Sequence, residues 1–430
     1  MWVVAFFTHL PGLSWPPPAI AVVLMAALAT GAFMAGRSEP RRGWLMGTLV
    51  ATTASLVNLM IFGSLLVERP ATGFEGVVPN AASMVGIFLG ISAASGLVAG
   101  ALGARLALRA PLQVAVASHW SRPFARVAVV AVLPLLFIGG LVTSTRAGMA
   151  FADWPTSEGA AMFLYPLRHM TGGKFYEHVH RLFGAMVGLT LLMLMIATWT
   201  APVRLRIKLF GTGLFAAVVV QGLLGGGRVD LNSQFLAMIH GIGGQLVFAG
   251  TVALAVMLST TYAGGQAVLA SAAPASSRRR TLSAWLLGGL VMQLALGAAT
   301  RHFPPPDRGW HATLTHVGFA FVVFILAIAA GAIARKNGDN PRPAGPLLRR
   351  VGTGILHSVS LQFLLGIAAL IAVLLVGNRP EVHWADVVFT TLHQFNGALL
   401  LALATLNAVW TWRLIPAGVP ITNADRLATA

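Results

Sequence analysis

FLAMIHGIGGQLVFAGTVALAVMLS, residues 235–259, carries no charged side chain from end to end. An apolar run of about 20 residues crosses about 30 Å of hydrocarbon as a helix, which satisfies its own backbone groups inside lipid. The stretch therefore predicts a membrane span. It holds one titratable group, His240, near its start, with Gly244 one helical turn further on and on the same face. Runs of the same kind lie on both sides, at residues 18–36, 44–67, 80–104, 126–143, 178–200, 207–226, 282–300, 311–334, 351–376 and 387–412. The fold class expected is an all-α integral membrane protein of about eleven spans.

Composition agrees. Hydrophobic residues make up 57% of the chain and charged ones only 10%, against about 25% charged in soluble domains. Cysteine is absent, which excludes disulfides, thiolate ligands and thiol relays. A net charge of +17 raises the question of nucleic acid, but the distribution answers it. Arg37, Arg41, Arg42, Arg105, Arg109, Arg122, Arg126, Arg204, Arg206, Lys208, Arg278 to Arg280, Arg335, Lys336, Arg342, Arg349, Arg350, Arg413 and Arg426 all fall in alternate connections, joined there by only Glu39, Asp339 and Asp425. The opposite connections are balanced. This is the positive-inside pattern; it predicts membrane lipids and no nucleic acid as partners, with the N-terminus outside and the C-terminus in the cytoplasm.

The later spans repeat. Gln-x-x-Leu-Gly occurs at Gln221–Gly225, Gln293–Gly297 and Gln362–Gly366, each time in the span before one bearing a histidine. The fourth odd span, Leu136 to Gly148, is glycine-rich near its end. Small-residue packing accounts for any single copy; recurrence at matching places favours four helix hairpins grouped as two pseudo-symmetric four-helix bundles. The expected divisions are 1–110, three extra helices with a Gly96–Gly100 packing pattern and no in-span histidine; 111–262, a first bundle; 263–280, a cytoplasmic linker; 281–415, a second bundle; and 416–430, a cytoplasmic tail.

His180, His240, His316 and His393 take equivalent positions near the outer ends of their spans, with Gly184, Gly244, Ala320 and Gly397 four residues on. Ionisable side chains inside a membrane are costly and usually functional. The plainer reading, imidazoles bonded between helices, holds well for one histidine and poorly for four. Zinc would call for a carboxylate or a fourth ligand, and only Glu177 is near in sequence. Two pairs of imidazoles in apolar bundle cores suit two haem sites.

Glu177-His178-Val179-His180-Arg181 is the densest local motif. Glu177, His180 and Arg181 share a helix face, from which Glu177 can orient an imidazole, take up protons or pair with Arg181. His178 points roughly the other way. The preceding loop, 144–176, is long enough to suggest function and contains GMAFADWP (148–155) and MFLYP (162–166). Trp154 and Tyr165 read as interfacial anchors or as a channel cap. Arg146, Arg228, Arg301 and Arg308 are outer-side cations able to pair haem propionates or anchor at the interface.

With these stretches, and with MIHGIGG (238–244), LTHVG (314–318) and LHQFNG (392–397), the chain resembles the haem A synthase family over roughly residues 126–412. The resemblance implies an eight-helix membrane enzyme of two similar bundles that oxidises a methyl substituent of haem O to the formyl group of haem A for terminal oxidases. It implies that His316 and His393 bind a resident haem b, and that His180 and His240 mark the site of the substrate, haem O, with Glu177 and Arg181 beside it. Water as the oxygen source, an electron acceptor of unknown kind, haem O synthase as a partner and a bacterial inner membrane location follow from the same resemblance. A di-haem electron-transfer cytochrome and a non-catalytic haem assembly or transport protein are the alternatives. The three extra helices lie outside the resemblance.

Overall fold

A computed structural model describes residues 1–13, 15–70, 76–108, 119–264, 273–303, 310–336, 344–377 and 379–414. Arg109, Arg308, Asp339, Arg342, Asp425 and Arg426, residues 265–272 of the expected linker and the tail 416–430 lie outside the described residues. Among those described, the chain is helical, with eleven helices long and apolar enough to cross a membrane.

A short helix, α1 (Trp2–Thr8), comes first. The long helices are α2 (Pro17–Ser38), α3 (Gly43–Phe62), α4 (Ala81–Leu108), α5 (Ser121–Ser144), α6 (Gly173–Thr200), α7 (Leu205–Asp230) and α8 (Gln234–Met257); after the short α9 (Thr260–Gly264) come α10 (Ala273–His302), α11 (His311–Lys336), α12 (Ala344–Val376) and α13 (Trp384–Leu414). Local signals set several ends. Prolines at the first positions of α2 need no backbone N–H there. The Ser233 hydroxyl caps α8 by accepting from the Leu236 N–H at 3.2 Å. Several helices begin earlier than the apolar runs suggest, α6 and α10 among them. α6 starts at Gly173, so Glu177-His178-Val179-His180-Arg181 is fully helical. α10 starts at Ala273, so residues 273–280, expected as linker, form its first turns.

The chain divides into two compact units: residues 1–118 with 147–183, and residues 119–146 with 184–430. The expected boundary near residue 110 is therefore not the only crossing point, because the long loop and the first turns of α6 group with the three extra helices.

In the first unit, α2, α3 and α4 pack on one another through small residues. A Cβ added at Gly47 would come within 2.3 Å of the Gly96 carbonyl oxygen, and one at Gly100 within 2.4 Å of the Gly43 carbonyl oxygen. Gly96 and Gly100 are thus packing residues, as their spacing predicts.

In the second unit, α10 packs on α11, α11 on α12, α12 on α13 and α13 back on α10, closing a four-helix ring. Its core is built from Leu286, Val323, Ala327, Ile355, Leu401 and Ala404. A second core joins Ala128 and Val132 of α5, Val187 and Leu191 of α6, Leu214 of α7 and Phe248 and Val252 of α8. Helix α8 also packs on α10 and α13.

Candidate functional site

The densest polar network described is in the first unit, where the loop before α6 is latched to that helix. Both oxygens of the Glu177 carboxylate are engaged: one accepts from the Arg181 guanidinium at 2.7 Å, the other from the Phe151 backbone N–H at 3.0 Å. Arg181 also donates to the carbonyl oxygens of Asp153 (2.9 Å) and Thr156 (2.8 Å), and its guanidinium lies 5.1 Å from the centre of the Phe151 ring. Glu177 is 4% exposed. A buried, multiply bonded ion pair of this kind holds its partners in one geometry, and removing one partner strands the other.

The loop ties itself together as well. Asp153 accepts from the Thr156 hydroxyl and the N–H groups of Glu158 and Gly159. Partial burial pushes its carboxyl up; these hydrogen bonds and the nearby Arg181 charge outweigh that and hold it below the usual carboxylate range. Glu158 accepts from the Lys174 ammonium and from the Tyr165 hydroxyl, and these bonds lower its carboxyl too. Tyr165 is fully buried, so it is no interfacial anchor; burial, and then its bond to Glu158, raise its phenol.

His178, which sequence reasoning set aside, is fully buried beneath this loop, beside the Tyr165 and Phe151 rings and 3.4 Å from the Ser157 hydroxyl. Its helical position shows only that it faces away from His180; the covering loop is a tertiary fact. His180 is half-buried on the same helix.

The second unit repeats one contact three times. The glycine of each Gln-x-x-Leu-Gly faces the imidazole of the following helix. A Cβ at Gly225 would lie 3.1 Å from His240 Cε1, one at Gly297 2.8 Å from His316 Cε1, and one at Gly366 3.0 Å from His393 Cε1. The motif is glycine because the ring of the neighbouring helix lies against it. The glycines four residues beyond the histidines behave differently: a Cβ at Gly184 or Gly244 meets nothing within 4 Å, and one at Gly397 meets the Gln362 amide. The pattern does not extend to α5, where Gly140 faces Thr391 and Gln394 of α13.

The glutamine residues of these motifs lie beside the same histidines. His240 Nδ1 is 3.0 Å from the Gln221 backbone carbonyl oxygen, a contact that orients the ring. Gln293 donates to the His316 carbonyl oxygen. Its own amide oxygen and His316 Nδ1 are both buried without a hydrogen-bond partner. Gln362, held by Asn396, places its amide nitrogen 3.2 Å from His393 Nδ1. A metal at Nε2 leaves the proton on Nδ1, so there the amide must present its oxygen instead.

His316 and His393 face each other with ring centres 6.2 Å apart and planes at 86°. Among the described residues no cluster of three or more His, Asp or Glu forms a metal site. Two facing imidazoles in an apolar bundle suit a planar cofactor that supplies the remaining ligands itself. Of the arginines expected on the outer side, Arg146 donates to the carbonyl oxygens of Gly377 and Arg379, and Arg301 to that of Thr143. Both therefore cap backbone.

Comparison with known proteins follows the same residues. The family model described as cytochrome oxidase assembly protein matches residues 165–303, a segment holding Glu177, His180, Arg181 and His240. The chain is 27% identical over 334 residues to a protein named heme A synthase from Erythrobacter litoralis, covering 63% of this chain and 90% of that relative. It is 36% identical over 118 residues to a protein of that name from Chelativorans sp. and 31% identical over 138 residues to one from Geobacillus kaustophilus. Those shorter matches span 31% and 42% of the relatives. In motif, in helical architecture and in these matches, the chain is similar to the haem A synthases.

Proposed function

We propose that this protein is a membrane haem A synthase, oxidising a methyl group of haem O to the formyl group of haem A for terminal oxidase assembly. The observation that carries the reading is the His316–His393 pair, 6.2 Å apart and orthogonal, in a chain whose Glu177-to-Arg181 motif lies in the segment matched by the family model.

In this reading His316 and His393 hold a resident haem b, which supplies a one-electron carrier. His180 and His240 serve the substrate haem O; their assignment rests on matching sequence positions and, for His240, on a ring oriented by the Gln221 backbone carbonyl. Conversion of a methyl to a formyl group with one water releases four electrons and four protons. The electrons pass to an acceptor outside this chain, and water supplies the carbonyl oxygen. The residues of the chain bind and orient. Glu177 and Arg181 hold the loop of residues 147–172 against α6, and the buried aromatic residues Phe151 and Tyr165 exclude water from beneath it.

The same reading puts the chain in a bacterial inner membrane, N-terminus outside, with all four histidines toward the outer face and haem O synthase as a partner supplying the substrate. It keeps residues 111–262 and 281–415 as the two haem-bearing bundles. The test is extraction of non-covalent haem from membranes of cells that make haem O, with and without this chain. The formyl haem is expected only with it. Unchanged haem O beside abundant folded protein would favour an electron-transfer or assembly role.

A further inference from the structure

The three extra helices have no counterpart in the resemblance, and their sequence reads as packing alone. Their contacts say more. Asn58 is a polar side chain inside the apolar span α3, 4% exposed, a costly placement in lipid. Its amide is used on α1: the oxygen accepts from Trp2 Nε1 at 3.0 Å, and the nitrogen lies 2.9 Å from the Met1 sulfur. A buried tryptophan needs such a partner for its N–H.

Two rings of α1, so fixed, reach α6. Trp2 meets Phe183 edge to face, centres 5.3 Å apart, and Phe6 stacks on Phe175 at 5.7 Å. All four rings are buried. Phe175 and Phe183 are eight residues apart, about 12 Å along the helix axis. At about 100° per residue they lie on the side of α6 roughly opposite Glu177 and Arg181, with His180 on the flank between. Two contacts at that separation set both tilt and rotation of a helix; one would set neither.

The loop is held from the same direction. A Cβ at Gly63, just beyond the end of α3, would lie 2.2 Å from the Phe163 carbonyl oxygen, so the two backbones touch.

We propose that residues 1–110 are a positioning element of the substrate site, in which Asn58 anchors α1 so that Trp2 and Phe6 hold the first turns of α6, and with them Glu177, His180 and Arg181, in their working orientation. As a statement about catalysis this rests on the function proposed above; as a statement about the fold it does not.

The experiment compares purified full-length protein with the W2A/F6A double variant, with N58L and with W2F, supplied with haem O and followed by hydrogen exchange. In the double variant kcat is expected to fall about 10- to 100-fold with KM for haem O little changed, while exchange rises within α1 and residues 147–183 and not in the helices from α7 onward. N58L, which keeps every ring, follows it in direction; W2F, which keeps an aromatic ring on Phe183, retains most of the turnover. Wild-type turnover in W2A/F6A and N58L, unaltered exchange in residues 147–183, or exchange raised equally along the whole chain each overturns the proposal. If the unsubstituted protein makes no haem A, the functional reading fails and the exchange pattern alone decides whether α1 holds α6.

Discussion

At the scale of single residues, Glu177 is where chemistry and architecture meet. Its carboxylate has no oxygen left over: one belongs to Arg181, the other to the Phe151 N–H. We therefore expect Glu177→Gln to act by loosening the loop. Haem A formation should fall about a hundredfold, while the spectrum of the haem b proposed for His316 and His393 stays unchanged. Haem A yield per bound haem b measures it, and a full yield would reduce the Glu177–Arg181 pair to scaffolding. The pairing was legible in the sequence, because residues four apart on a helix meet. The burial of His178 was not, since periodicity gives the direction of a side chain and not what lies over it.

The loop carries a pH dependence whose sign follows from Asp153 and Glu158. Hydrogen bonds and the nearby cations lower both carboxyl groups in the folded protein. Stability from such groups is present above their unfolded values and is lost as pH falls through the lowered ones. The effect is modest, because both side chains remain partly solvated. Limited proteolysis of the loop should be flat between about pH 5 and 8 and rise below about pH 4. A loop that opens instead on raising the pH would contradict this assignment of its latch.

At the scale of the element, the unit that repeats is a helix pair, a glycine on the first helix facing an imidazole on the second. The sequence displays both halves, the Gln-x-x-Leu-Gly and the histidine, but not that they touch. The natural inference from helix geometry pairs each histidine with the small residue four positions along its own helix. The structure pairs it with the preceding helix, because a hairpin turns that glycine toward the ring. G297A and G366A test this. A methyl 2.8 Å from His316 Cε1 or 3.0 Å from His393 Cε1 must move the ring. Each variant should retain its helices, judged by circular dichroism, yet lose most haem b or show a shifted reduced spectrum. Alanine at Gly244, where a Cβ meets nothing, should leave the resident haem intact. Equal behaviour of the three variants would remove the contact's significance.

At the scale of the whole molecule, eleven spans were readable because each is a long apolar run, and a membrane leaves the backbone few other choices. The grouping of the spans was less readable. Residues 147–183 form a compact unit with the three extra helices because of contacts such as Trp2 with Phe183 and Gly63 with Phe163, which join residues far apart in the chain and leave no periodic trace. The candidate site was legible to a similar degree. Its histidines and Glu177 stand out as ionisable groups in apolar surroundings, while the glycines, amides and aromatic rings that orient them look like ordinary packing. The central claim remains chemical, and one measurement addresses it directly: purified full-length protein given haem O and an electron acceptor in isotopically labelled water, with the haem products separated and weighed. The account predicts formyl haem carrying oxygen from water in the unsubstituted protein, and none in H316A or H393A, which should also lack the haem b spectrum. Haem O recovered unchanged from protein that retains its full haem b spectrum would contradict it.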